Sequence, residues 1–508
     1  MKARSLVLTI AALGAIVAGP VRADVSCAGP ADGGEWRRYG STLDNSRAQS
    51  ADTTLDPATV GGVTAIEAFD AEAAQPGGGT FSNTPLIIDG CVYLASSTGF
   101  VFALNADSLE LVWASEKMPG EAAGALVGGV ITGSPVVADG KVYVAVSKAR
   151  DPFIGVLDQA TGATLGMWPV LREEFRGANN TFSNTIIASP VVWNGLLFQG
   201  IMAGEASMEA RGGWAVLDAE TGELLVQDWT IDDASYEAGY AGASIWCSPA
   251  MDAETGFLYA CGGNPASKRV EHRNSNALLK FDLNRFLADG ITPNPDFGGL
   301  VDGYKGDVDQ YYPGLDRQPV CDAFAEDINV VWSQACLQLD LDFGASPNLF
   351  TVDVAGEPVK LVGALQKSGV YHAIYADNMQ RAWTSVVGTP CVACNASSTA
   401  VDGDSVYVAA TAPGHMMSLS KDAGRYGWAS PLLGGTHFQP VSVANGVVYT
   451  MDNYGNLNAF DAATGVPLLK QNLALDTQES ASETGSQGVA IARNKIYALS
   501  GRFMVVYG

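Results

Sequence analysis

The stretch TGSPVVADGKVYVAVSKARDPFIGVLDQATGATLGMW, Thr132–Trp168, decides the fold. It opens on a small residue and a proline. A short apolar run follows and turns at Asp139-Gly140 into the alternating run Lys141–Val146. A further strand reaches the Asp158–Gly162 turn (DQATG), and the unit ends on Trp168. Period-2 alternation broken by Asp-Gly and Thr-Gly turns is the signature of antiparallel hairpins. The same unit occurs before it, as SNTPLIIDGCVYLASSTGFVFALNADSLELVW (Ser82–Trp113). It occurs after it, as ASPVVWNGLLFQG and GGWAVLDAETGELLVQDW within Ala188–Trp229. Further copies begin at Cys247 (CSPAMDAETGFLYACGGN), at Ala345 (ASPNLFTVDVAGEPVKLVGALQKSGVYHAIY) and near Ser397, Gln439 and Gln487. That makes eight. Four short strands cannot bury both of their faces alone, but units repeated around an axis bury one another. The expectation is an all-β, eight-bladed β-propeller, with an insertion around 284–344 between the fourth and fifth units. The last unit ends at Gly508 one strand short, and EWRRYG (Glu35–Gly40) is expected to supply the missing strand.

Composition agrees with one large β core. Apolar residues make up 47% of the 508 and charged residues 16%, while 58 glycines and 23 prolines supply turns. The net charge of −25 argues against a nucleic-acid phosphate backbone as partner, because such binding needs clustered Lys and Arg. Residues 1–23 read as an export signal. Lys2 and Arg4 precede the apolar run Leu6–Ala18, and a small-residue site ends at Ala23, after which cleavage is expected. The run is too short to span a bilayer, and no later segment is a candidate span. A periplasmic or secreted chain is expected. Its eight cysteines, an even number, favour disulfides in that compartment, with Cys391 and Cys394 expected to form a short-range one.

Several chemistries lack their motifs. There is no G-x-S-x-G nucleophile elbow and no glycine-rich phosphate loop. The C-x-x-C at Cys391 is followed by Asn395 rather than His, so it is not a c-type haem site. The four histidines, His272, His372, His415 and His437, show no zinc-ligand spacing.

The repeats, the opening YGSTLDNSRAQ and the stretches DFGASPNLF and GALQKSGVYHAIYADNMQRAW resemble the pyrroloquinoline quinone (PQQ)-dependent alcohol dehydrogenases, nearest to a polyvinyl-alcohol-dehydrogenase-like branch. The resemblance covers nearly the whole chain after the signal, and it implies a site. In MAGEASMEARGGW it places Glu205 as a metal ligand. In GASIWCSPAMDAETGFLYACGGNP it makes Trp246 the floor on which the flat quinone stacks, with Ser244 beside the cofactor and Asn264 on the metal. In LDLDFGASPNLF it puts the catalytic base at Asp342. Asp340 is the rival, because lanthanide-using relatives carry an extra carboxylate two positions after the base; Asp342 would then be a metal ligand. Lys367 falls where a cation meets the quinone oxygens, and Asn395 where a further polar cofactor contact is expected. The implied cofactors are PQQ and Ca2+ or a lanthanide. The implied substrate is a small or polymeric primary or secondary alcohol, and the implied electron acceptor is external, such as a cytochrome c. A propeller that has lost the cofactor and binds a partner is the alternative. The chain departs from the family pattern in two places: it has no adjacent Cys-Cys pair, and Ser82 stands where a glutamate is common.

Overall fold

The computed structural model describes residues 25–51, 53–122, 129–204, 210–265, 272–307, 341–390, 394–478 and 487–508. They form eight sheets arranged as an eight-bladed β-propeller. The first blade runs from Leu86–Ile88 to Leu111–Ala114, the second from Val136–Ala138 to Thr164–Pro169, and the third from Val191–Trp193 to Leu224–Trp229. The fourth comprises Ala250–Asp252, Phe257–Gly262, Ala277–Asp282 and Leu300–Lys305; the fifth runs from Asn348–Val354 to Arg381–Val386. The sixth begins at Ala400–Asp402, the seventh at Ser442–Ala444 and the eighth at Val489–Ala492. Each blade's first strand packs against those of its neighbours, so the first strands line the central shaft.

Two recurrent contacts join the blades. The first is at the periphery and explains the terminal tryptophan of the repeat. In the Asp158–Gly162 turn, Asp158 accepts from the amides of Ala160 and Thr161 and from the Thr161 hydroxyl, which leaves Gly162 at φ +71°. Trp113 of the preceding blade lies on that glycine, where a Cβ would come within 2.5 Å of the indole, and its Nε1 donates to the Gln159 carbonyl. Trp168 on Gly222 and Trp428 on Gly465 repeat the contact.

The second contact surrounds the shaft and explains the Ser-Pro. The amide of Thr84 donates to the hydroxyl of Ser134, that of Ser134 to Ser189, Ser189 to Ser248, Ser248 to Ser346, and Ser346 to Ser398, all at 2.8–3.1 Å. The seventh and eighth blades have Pro440 and Gly488 at this level, and the hydroxyl chain stops. Arg47, fully buried, fills the gap. Its guanidinium donates to the carbonyls of Val441 and Tyr39 and to the hydroxyls of Ser442 and Thr84. Burial lowers its pKa to about 10.

Ring closure differs from the sequence expectation. The fourth strand of the last blade is Ala65–Asp70, paired antiparallel with Phe503–Tyr507, and not Glu35–Gly40. An outermost strand is largely solvated, and Ala65–Asp70 is exposed except around Phe69. Trp36, in contrast, is fully buried and bridges to Ile87 of the first blade. The insertion is also shorter than the expected 284–344, because Leu300–Lys305 within it is the fourth strand of blade four. Residues 308–340, which include Cys321 and Cys336, and the expected signal at 1–23 lie outside the described residues. Disulfides join Cys27 to Cys91 and Cys247 to Cys261; Cys394 is also disulfide-bonded, while Cys391 lies outside the described residues. No helix among the described residues is long and apolar enough to cross a membrane.

Replacing Arg47 with Met should cost roughly 2–5 kcal/mol, because it leaves several buried acceptors without a donor. Urea unfolding checks this; an unchanged midpoint would show that the ring closes without the guanidinium.

Candidate active site

Two residues before each shaft hydroxyl, the chain presents a side chain at the next level of the shaft. In blade four that residue is Trp246, in blade five Gly344 and in blade six Ala396. The alternation of large and small is steric. A Cβ on Gly344 would lie 2.6 Å from that of Ala396 and 3.0 Å from the edge of the Trp246 indole. The indole therefore needs glycine beside it in order to lie as it does.

Trp246 is half-buried, and its Nε1 donates to Oδ2 of Asp342 at 2.7 Å. The other carboxylate oxygen, Oδ1, is 2.6 Å from Nζ of Lys367, and that ammonium also lies over the indole, 4.9 Å from the ring centroid. Asp342 is 3% exposed and Lys367 6%. A buried ion pair holds together when each partner is paired and hydrogen-bonded, and it is strongly destabilised when one partner is removed. The three residues, from 246, 342 and 367, form one closed unit.

The backbone around the unit is pinned. The Lys367 amide donates to the Asp342 carbonyl at 3.1 Å. Gln366, fully buried, donates to the carbonyls of Leu341 and Asp307 and accepts from the Asp307 amide. Asp307 itself is held below the usual carboxylate range, chiefly by the His372 imidazole, whose Nε2 lies 3.6 Å from its Oδ2. Asn395 donates to the carbonyls of Lys367 and Thr389 and accepts from the Thr411 amide, so it supports Lys367 from behind.

Asn264 is brought to the same place by strand pairing. Its carbonyl accepts from the Ala243 amide and the Gly263 amide donates to the Ser244 carbonyl, which sets Asn264 against the segment leading to Trp246. The Cys247–Cys261 disulfide joins the same two segments. The Ser244 hydroxyl accepts from the Ala203 amide at 2.9 Å and so anchors the chain just before Glu205. Glu205 and Asp340 lie outside the described residues. Of the residues singled out in the sequence, the structure gathers Trp246, Asp342, Lys367 and Asn395 in direct contact, with Ser244 and Asn264 on the adjoining hairpin. Sequence reasoning missed Gly344 and Gln366. Both had a local signal, since each adjoins a singled-out segment: Gly344 in DFGASP and Gln366 in LQKSG.

Residues 36–277 match the family model described as glucose/ethanol/alcohol dehydrogenase, beta-propeller domain, and residues 316–506 match one described as outer membrane protein assembly factor BamB. Over these residues the chain is similar to the PQQ-dependent alcohol dehydrogenases. It is 25% identical over 295 residues to an alcohol dehydrogenase (quinone), dehydrogenase subunit, of Gluconobacter oxydans, a match covering 53% of this chain and 37% of that protein. It is 23% identical over 478 residues to a polyvinylalcohol dehydrogenase of a Sphingopyxis species, covering 85% and 66%. The chain thus spans under two thirds of the length of these two relatives. The fold also matches the crystal structure of quinohemoprotein alcohol dehydrogenase from Comamonas testosteroni, with a TM-score of 0.69 at 16% identity, over 93% of this chain and 80% of that one.

The ion pair generates a double-mutant test. Lys367→Met alone should destabilise by roughly 3–5 kcal/mol, because it leaves the Asp342 carboxylate buried without its cation. Adding Asp342→Asn should restore much of the loss. Urea titration of the three variants decides; additive effects would show that the two side chains are not coupled.

Proposed function

We propose that the chain is an exported, PQQ-dependent dehydrogenase that oxidises primary or secondary alcohols, polymeric ones included, and passes electrons to an external acceptor. The observation that carries this reading is the unit of Trp246, Asp342 and Lys367 at the level of the shaft just beyond the hydroxyl ring. A half-buried indole suits a planar polycyclic ligand, since stacking buries much apolar area on both partners. The residues fit such a group in their chemistry as well: an aromatic platform, a cation above it and a carboxylate at its edge.

When bound, PQQ supplies the two-electron acceptor, and a hard cation such as calcium or a lanthanide supplies Lewis acidity. The chain's own residues do the rest. Trp246 would carry the ring, and Lys367 would stabilise negative charge on the ligand's oxygens. Asn264 and Asp342, with Glu205, offer the amide and carboxylate oxygens that a hard cation takes. Asp342 would accept the alcohol's hydroxyl proton on a carboxylate oxygen. Asp340 remains the alternative base, with Asp342 then serving the metal. Ser244 and Asn395 hold the surrounding backbone. The chain's net charge of −25 would favour a basic electron acceptor such as a cytochrome c.

The test is a spectral titration of the chain from Asp24 onward with PQQ, with and without calcium, followed by a dye acceptor and a panel of alcohols. One equivalent should bind in a metal-dependent way, and alcohol should then drive dye reduction. Asp342→Asn should lose turnover by about two or more orders of magnitude while still binding PQQ. No binding with calcium or a light lanthanide would overturn the reading in favour of a propeller without redox chemistry. Unchanged turnover in the variant would move the base to Asp340.

A further inference from the structure

The loop between the sixth and seventh blades carries Thr436, His437, Phe438 and Gln439 into the shaft beside the site. Phe438 occupies the level that Trp246 occupies in blade four, two residues before the shaft position at Pro440. Its ring meets the indole at 74°, with the centroids 6.2 Å apart. The loop is joined to the site through Asn395: the Asn395 amide donates to the Thr411 hydroxyl, which in turn donates to the Thr436 carbonyl. The Ala396 amide donates to the His437 carbonyl.

Two polar residues flank Phe438 in the chain. The Thr436 hydroxyl and the Gln439 side-chain nitrogen are buried, both residues being 0% exposed, and neither group finds a partner among the described residues. The other end of the Gln439 amide is engaged, since its Oε1 accepts from the His437 amide. A buried donor left unpaired is costly, because it has given up water without gaining a partner. Two such groups on the residues that bracket a half-buried aromatic ring call for a ligand that is apolar in the plane and rich in oxygen acceptors at its rim.

The geometry points to Phe438, Thr436 and Gln439 as a second wall of the quinone slot, with Phe438 against the ring system and Thr436 and Gln439 donating to rim oxygens. This rests on the PQQ reading above and adds three binding residues to it. The experiment measures PQQ affinity in the presence of calcium by equilibrium dialysis, without any turnover assay, for the unaltered chain and for Phe438→Ala, Phe438→Leu, Thr436→Val and Gln439→Leu, with the thermal midpoint of each. Thr436→Val and Gln439→Leu should each weaken binding about tenfold, as expected for loss of one hydrogen bond to a charged or strongly polar acceptor. Phe438→Ala should weaken it roughly threefold to tenfold, the range of an aromatic contact, and Phe438→Leu, which keeps more of the packing, less. If the unaltered chain binds and the folded variants bind within twofold of it, the second wall is wrong while the PQQ reading stands. If the unaltered chain does not bind, the PQQ reading falls and this inference with it.

Discussion

A backbone amide pointing along the shaft of a propeller has no strand partner, so it must be satisfied by the next blade. This chain meets that constraint with small hydroxyls at six of the eight positions, Thr84, Ser134, Ser189, Ser248, Ser346 and Ser398, five of which accept from the amide before them. Where the series lapses, the buried guanidinium of Arg47 takes over and reaches both sides of the gap. Gly488 shows how tight the closure is, because a Cβ there would meet the Thr84 hydroxyl at 2.0 Å. The register of this ring fixes everything above it. The residue two before each hydroxyl faces the next level of the shaft, and there Trp246, Gly344 and Ala396 meet.

The site built on that level is costly for stability. Asp342 and Lys367 are both nearly fully buried, and desolvating two charges commonly offsets most of their attraction. The protein compensates with directed bonds: Trp246 donates to one carboxylate oxygen, Lys367 meets the other, and Gln366 and Asn395 hold the backbones on which these side chains stand. Such preorganisation is what electrostatic catalysis requires, since the groups need little rearrangement once a ligand arrives.

Most of the fold was legible in the sequence because its signals are local. Asp-Gly and Thr-Gly turns, period-2 runs and Ser-Pro openings recur along the units, and the first strand of each of the eight sheets lies in one of the units read from them. The closing strand was not legible. Ala65–Asp70 lacks the buried alternation of its partners because it is solvated, whereas EWRRYG offered the apolar Trp36 that the shaft end buries instead. Arg47 was equally silent, since its partners at Thr84 and Val441–Ser442 are far away in sequence. In the site, Trp246, Asp342 and Lys367 were singled out by resemblance, but their mutual contacts span 96 and 25 residues or more of chain, and no spacing rule reports them. Gln366 and Gly344 were overlooked because an amide that only holds backbone and a glycine that only makes room have no chemistry of their own to read.

The central claim is that a planar quinone rests on Trp246 within reach of Asp342 and Lys367. A crystal structure of the chain grown with PQQ and calcium tests it most directly. The account predicts flat density parallel to the Trp246 indole, with Lys367 turned to its oxygens and Asp342 beside it. Density bound elsewhere on the propeller, with the contacts of Trp246 and Lys367 to Asp342 unaltered, would contradict it.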